Sequence, residues 1–226
     1  MSGHEKITRD RLLQGANDER LAEAERMGLL VRKSEEERIA IRDAVIRDLQ
    51  PGDVWVFGYG SLIWNPAFHF DERRQGRIHG WHRRFCLETP LGRGSPDCPG
   101  LVLGLDRGGS CQGVAFRIRE AEAAHELDIV FKRELVSDAY RAQLVTVHGD
   151  GGPTRAVTFT MNRQSPRYCG HLDLEKAAAM IAEAEGWLGP CSDYLFNTAE
   201  HLKELGLKDH GLFRLEKRVR ELQAAR

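Results

Sequence analysis

The sequence predicts a mixed α+β chain, with its strands in the middle and helices at both ends, on three observations. Residues 5 to 49 are polar, charged and helix-favouring. From about 54 to 161, apolar runs alternate with Gly, Pro and Asp punctuation, as strands and their turns do. From Asp173 onward the apolar spacing returns to that of helices.

Taken in order, Ser34 and Glu37 form a capping-box pattern ahead of Ile39-Ala40-Ile41 and Val45-Ile46. The stretch therefore reads as two amphipathic helices before Pro51-Gly52. Residues 1–52 are expected to form a helical extension, and residues 53–226 one main domain. Strands are expected at 54–57, about 78–88, 101–106, 111–118, 141–148 and 154–161, with one helix at about 120–136 between the fourth and the fifth. Residues 89–100 hold three glycines and three prolines, which predicts a surface loop. Helices are expected at 174–185, 193–205 and 209–224, each preceded by Asp or Ser and several closed by Gly.

Charge and composition narrow the function. Lys plus Arg (33) balance Asp plus Glu (34) to a net charge of −1, which leaves no electrostatic footprint for nucleic acid or an anionic membrane. No apolar stretch approaches the roughly 18 residues a membrane span needs, and Met1-Ser2-Gly3-His4-Glu5-Lys6 lacks a signal-peptide core. A cytosolic protein is expected. Its five cysteines are odd in number and widely spaced, with no C-x-x-C pair, which suggests reduced structural thiols. His79 and His82 sit at an odd spacing in a strand-like stretch, so they point to opposite faces and make a poor metal site.

The run Val54-Trp55-Val56-Phe57 leads directly into Gly58-Tyr59-Gly60-Ser61-Leu62-Ile63-Trp64. Two glycines around one aromatic residue free the backbone to turn consecutive N–H groups toward an anionic or carbonyl ligand, although a tight hairpin turn satisfies the same string. A dinucleotide fingerprint is excluded because its third glycine falls on Ile63. A nucleophile elbow needs its serine where Gly60 stands, and no Walker lysine follows the glycines. What remains is a binding cradle without a nucleophile or cofactor of its own.

The helix near 120–136 carries the second feature. At about 100° per residue, Ala124, Phe131 and Leu135 fall on one side of Leu127, and Ala123 and Val130 on the other. Glu134 falls within about 20° of Leu127, at the centre of the apolar stripe, whereas Glu122, His125 and Lys132 point the opposite way. An ionised carboxylate facing a core near a helix C-terminus is disfavoured, and both effects raise its pKa toward the range useful for proton transfer. Pairing with neighbouring Arg133 or another buried arginine is the structural alternative.

Together these features resemble the ChaC-like γ-glutamylcyclotransferases. Phe57-Gly58-Tyr59-Gly60-Ser61-Leu62-Ile63-Trp64-Asn65-Pro66 is similar to the family's signature turn, and Lys132-Arg133-Glu134-Leu135 to the segment holding its catalytic glutamate. Gly80-Trp81-His82-Arg83-Arg84-Phe85-Cys86, Gly92-Arg93-Gly94, Gly113-Val114-Ala115-Phe116-Arg117 and Asp193-Tyr194-Leu195-Phe196 extend the match over roughly 54–220.

The resemblance implies a small mixed β-barrel packed by helices. It also implies cleavage of glutathione to 5-oxoproline and cysteinylglycine without a cofactor or metal. Glu134 would be the catalytic residue, Gly58 to Ile63 the substrate turn, and Tyr194 a further substrate contact. At most one of Arg83 and Arg84 would face the site as a carboxylate clamp, because adjacent strand residues point opposite ways. Other γ-glutamyl amino acids or γ-glutamylamines are alternative substrates. A non-enzymatic regulator linked to cation transport, binding a partner or metabolite through the turn, is the alternative of a different class.

Overall fold

The structure is a computed structural model that describes residue 5 and residues 7–49 and 51–225. Its contacts divide into two compact units, one of Ile7–Arg83 with Leu105–Asn162 and one of Met1–Lys6, Arg84–Gly104 and Arg163–Arg226. Most of the N-terminal helical segment thus shares a unit with strands.

Among the described residues three helices, not two, precede the first strand: α1 (Arg9–Leu13), α2 (Asp18–Arg26) and α3 (Glu35–Asp48). The chain leaves α1 through Gly15 at φ +64°, a conformation that lacks the usual penalty only for glycine, so the first helical stretch breaks in two. Helix α3 begins as the sequence predicts. Ser34 Oγ accepts from the Glu37 N–H at 3.1 Å, and Glu37 Oε2 accepts from the Ser34 N–H at 2.7 Å.

Strand β1 (Val54–Gly58) is buried at every position, and the short helix α4 (Ser61–Trp64) follows it. The long strands β2 (Glu72–Thr89) and β3 (Gly100–Ile118) contribute to both units. Two strands expected at 101–106 and 111–118 are one. Gly108 and Gly109, at φ +102° and +67°, bend β3 without ending it. Helix α5 (Ala123–Glu134), β4 (Tyr140–Val147) and β5 (Thr154–Met161) complete the set. The sheet order is β2-β3-β1-β5-β4, with β1 antiparallel to β3 and parallel to β5. A continuous apolar run such as Val54–Phe57 suits this central place, where both faces are covered.

The outer strands meet. Arg77 of β2 and His148, just past β4, exchange two backbone hydrogen bonds of 2.8 Å, which curls the sheet into a barrel. Glycines make this approach possible. A Cβ on Gly149 would stand 2.6 Å from the Gln75 carbonyl oxygen, and one on Gly76 would overlap Val147 Cγ1.

The core of this unit includes Phe57, Phe116, Phe131, Phe159, Leu127 and Leu135, with Phe131 and Phe159 edge to face at 5.3 Å. Helices α1 and α3 pack on α5. That packing changes the expected helix face, since Glu126 and Ile129 are buried while Ala124 is exposed.

The other unit holds α6 (Leu174–Glu183), a small ladder of β6 (Glu185–Gly186) and β7 (Gly189–Pro190), α7 (Cys191–Glu204) and α8 (His210–Ala224). Its 89–100 segment is not a plain surface loop: Gly92, Gly94 and Gly100 are buried, and only Pro96 and Asp97 are exposed. The Cys191 thiol donates to the Leu101 carbonyl at 3.2 Å and accepts its N–H at 3.3 Å. Burial pushes that thiol up to about 11.

Candidate active site

The Gly58–Ile63 turn is a strand-to-helix junction rather than a hairpin. Gly58 is required for close approach and not for an unusual φ. A Cβ there would stand 3.0 Å from Leu62 Cβ and 3.2 Å from Phe116 Cε2, so a larger residue would push α4 off the end of β1. Gly60 caps α4, and its carbonyl accepts from the Ile63 N–H at 2.9 Å. A helix supplies no acceptor for its leading N–H groups, here those of Ser61 and Leu62.

The side chains of the turn anchor it. Tyr59 is buried, and its hydroxyl donates to the Phe159 carbonyl at 2.8 Å. Thr158 Oγ1 donates to the Phe57 carbonyl at 2.9 Å and holds the last residues of β1. Leu62 and Ile63 are buried, whereas Ser61 is half-buried. Of the turn's side chains, Ser61 therefore has both a polar group and partial access. Of the two adjacent arginines, Arg83 meets the turn. Its guanidinium donates to the Tyr59 carbonyl, and to the Gln112 carbonyl at 2.7 Å.

Glu134 ends α5, and its side chain is 14% exposed. Burial pushes its carboxyl above the usual carboxylate range, and the neighbouring Arg133 charge pulls against that shift. Arg133 connects the two predicted elements. Its Nε lies 3.0 Å from Glu134 Oε1 and its Nη2 donates to Ser61 Oγ at 2.8 Å, while its Nη1 donates to the carbonyls of Asn65 and Pro66. Glutamate and turn are thus one guanidinium apart. The segment after α4 is held firmly enough to keep Ala67 at φ +57°.

The structure therefore brings Glu134 together with the predicted turn. Tyr194 belongs to the other unit, where it sits on α7 with its ring edge-on to Phe85 at 6.0 Å. The Arg133 bond to Ser61 and the Arg83 bond to Tyr59 were not predicted. Each joins residues dozens of positions apart, and the local sequence signal is only an arginine beside a glutamate. Among the described residues no group of three or more His, Cys, Asp and Glu side chains is placed to hold a metal ion.

Comparison with known proteins fits this geometry. The family model described as "ChaC-like protein" matches residues 54–222. Glutathione-specific γ-glutamylcyclotransferase of Escherichia coli K12 is 41% identical over 76% of this chain and 75% of its own length. The namesake enzyme of Schizosaccharomyces pombe is 34% identical over 78% of this chain and 97% of its own. In fold, the chain is similar to the crystal structure of a glutathione-specific γ-glutamylcyclotransferase from yeast, with a TM-score of 0.72 at 21% identity over 77% of this chain and 99% of that one. With its strand-to-helix turn and its buried glutamate both inside the matched region, the chain belongs to the ChaC-like family.

Proposed function

We propose that this protein is a γ-glutamylcyclotransferase that cleaves glutathione into 5-oxoproline and cysteinylglycine. The observation that carries the reading is a largely buried carboxylate of raised pKa, one guanidinium away from a strand-to-helix turn. The E. coli and S. pombe relatives, both named as glutathione-specific, support the choice of substrate. All five cysteines are free thiols, which suits work in a reducing, cytosolic compartment.

The chemistry asks little of the protein beyond proton transfer and positioning. The substrate's own α-amine attacks its γ-carbonyl carbon. A C–N bond forms in a five-membered ring, the carbonyl oxygen takes the charge, and the amide bond to the cysteine nitrogen then breaks. The amine arrives protonated, with a reference pKa of about 8, so a base must first accept a proton. Glu134 takes that proton and returns it to the departing nitrogen. The second proton, shed by the new ring nitrogen after attack, passes by way of the same carboxylate to the freed amine, which leaves as an ammonium. A pKa raised above the usual carboxylate range suits this double role. The N–H groups of Ser61 and Leu62 at the start of α4 hold the γ-glutamyl carboxylate or the developing oxyanion. Holding the folded substrate in near-attack geometry contributes several kcal/mol.

The test is 5-oxoproline release from glutathione and from γ-glutamyl-alanine, with wild type and Glu134→Gln side by side. Release from glutathione by wild type alone is expected. Release from γ-glutamyl-alanine alone moves the substrate to another γ-glutamyl compound. A folded Glu134→Gln variant that keeps full activity removes Glu134 from the mechanism.

A further inference from the structure

We propose that Arg133 is the positioning residue of this site, the group that sets the distance and orientation between Glu134 and the substrate turn. The inference rests on the cyclotransferase reading above. Its side chain is 6% exposed, and its planar guanidinium meets Glu134, Ser61, Asn65 and Pro66. One edge meets Glu134 Oε1 at 3.0 Å. The others meet Ser61 Oγ at 2.8 Å, the Pro66 carbonyl at 3.2 Å and the Asn65 carbonyl. Ser61 opens α4, and Asn65 closes it. One rigid group therefore grips both ends of α4, the helix that completes the turn, together with Glu134.

A salt bridge alone would not require this arrangement. An ammonium can satisfy Glu134, but it lacks the fixed fork that reaches a carboxylate, a hydroxyl and two carbonyls from one rigid group. Ser61 Oγ and the carbonyls of Asn65 and Pro66 are neutral acceptors, and the Arg133 charge lowers the Glu134 pKa against the upward push of burial. The other charged groups along α5 are occupied elsewhere: Glu126 by Arg9, and Asp128 by Arg42 and Lys132. His69, after α4, faces Glu126.

Two variants separate the fork from the charge. Arg133→Lys keeps the charge and loses the fork; kcat on glutathione is expected to fall at least about tenfold, with the acid limb of the kcat/KM profile near its wild-type position. Arg133→Met loses both, and the acid limb is expected to move up by about one pH unit or more, because the buried carboxylate loses the charge that keeps it ionised. A residue that only supported the fold would lower melting temperature without moving that limb. Wild-type kcat in Arg133→Lys overturns the proposal, as does an unmoved acid limb in a folded Arg133→Met. If Arg133→Met does not fold, the kcat of Arg133→Lys decides alone. Wild-type protein that releases no 5-oxoproline from glutathione or from γ-glutamyl-alanine fails the cyclotransferase reading and overturns this inference with it. Active wild type with unaltered variants fails this inference alone.

Discussion

Arg9, in the first turn of α1, places its Nη2 2.5 Å from Oε1 of Glu126, a carboxylate whose side chain is 3% exposed. The other oxygen, Oε2, accepts the His69 backbone N–H at 2.9 Å. Nearby, Asn65 Nδ2 donates to the Ile7 carbonyl at 2.8 Å. Ile7 and α1 are thus fastened to the Asn65–His69 stretch, whose Asn65 and Pro66 carbonyls also accept from Arg133.

Arg9→Ala leaves a buried carboxylate without its cation, so a loss of about 3 kcal/mol is expected in urea unfolding at neutral pH. Replacing both partners, as Arg9→Met with Glu126→Leu, is expected to recover most of it, because the desolvation cost disappears with the charges.

The same pair makes a pH prediction. Burial raises the Glu126 pKa, but the hydrogen bonds from Arg9 and His69 outweigh it and hold the carboxyl below its ordinary value of 4.5. The stabilisation is complete above that value and is lost as pH falls through the lowered folded-state pKa. Acid unfolding of wild type should therefore be steeper below about pH 4.5 than that of the Arg9→Met, Glu126→Leu double variant.

Glu134 has the opposite sign. Its folded-state pKa is raised, so the folded state loses stability as pH climbs from the ordinary carboxylate range toward that raised value. Glu134→Gln removes this loss and still offers Arg133 an acceptor. It is expected to melt at or above the wild-type temperature at pH 8, while cyclotransferase activity falls by about 10²–10⁴.

Barrel closure can be tested through its glycines. Gly149→Ala drives a methyl group against the Gln75 backbone carbonyl and is expected to cost about 1–3 kcal/mol. Gly76→Ala meets the Val147 side chain instead. Adding Val147→Ala should restore part of that loss, whereas no side-chain trimming should rescue Gly149→Ala. Thermal melts of the single and double variants check this.

Tyr59→Phe leaves the Phe159 carbonyl without its 2.8 Å donor inside the barrel. A loss of about 1–2 kcal/mol in chemical denaturation is expected.

Much of this was legible locally. Strand β1 is readable because four apolar residues run without interruption into a glycine, and Glu134 because its angle on a helical wheel coincides with that of Leu127. The same wheel misplaced Ala124, and the burial of Glu126 was not read from it. It assumes one buried face, and α5 carries packing from α1 and α3 as well. The 89–100 segment reads as surface because of its glycines and prolines, yet it folds back on itself: a Cβ on Gly94 would collide with the Gly100 nitrogen and the Thr89 carbonyl, and one on Gly100 with the Arg93 carbonyl.

Alone, the sequence determined that helices flank a strand-rich middle, the first strand, the turn that follows it, the carboxylate on an apolar stripe, and through the last two the family. Each is set by periodicity or by a short string of residues, interactions that act within a few positions along the chain. Only the tertiary structure decided that Arg77 meets His148 to close the barrel, that Arg9 neutralises Glu126, and that Arg133 joins Glu134 to Ser61. Those contacts link residues up to 117 positions apart. Their partners are selected by burial, where an unpaired charge or carbonyl is costly, and no local pattern specifies which distant group will satisfy it.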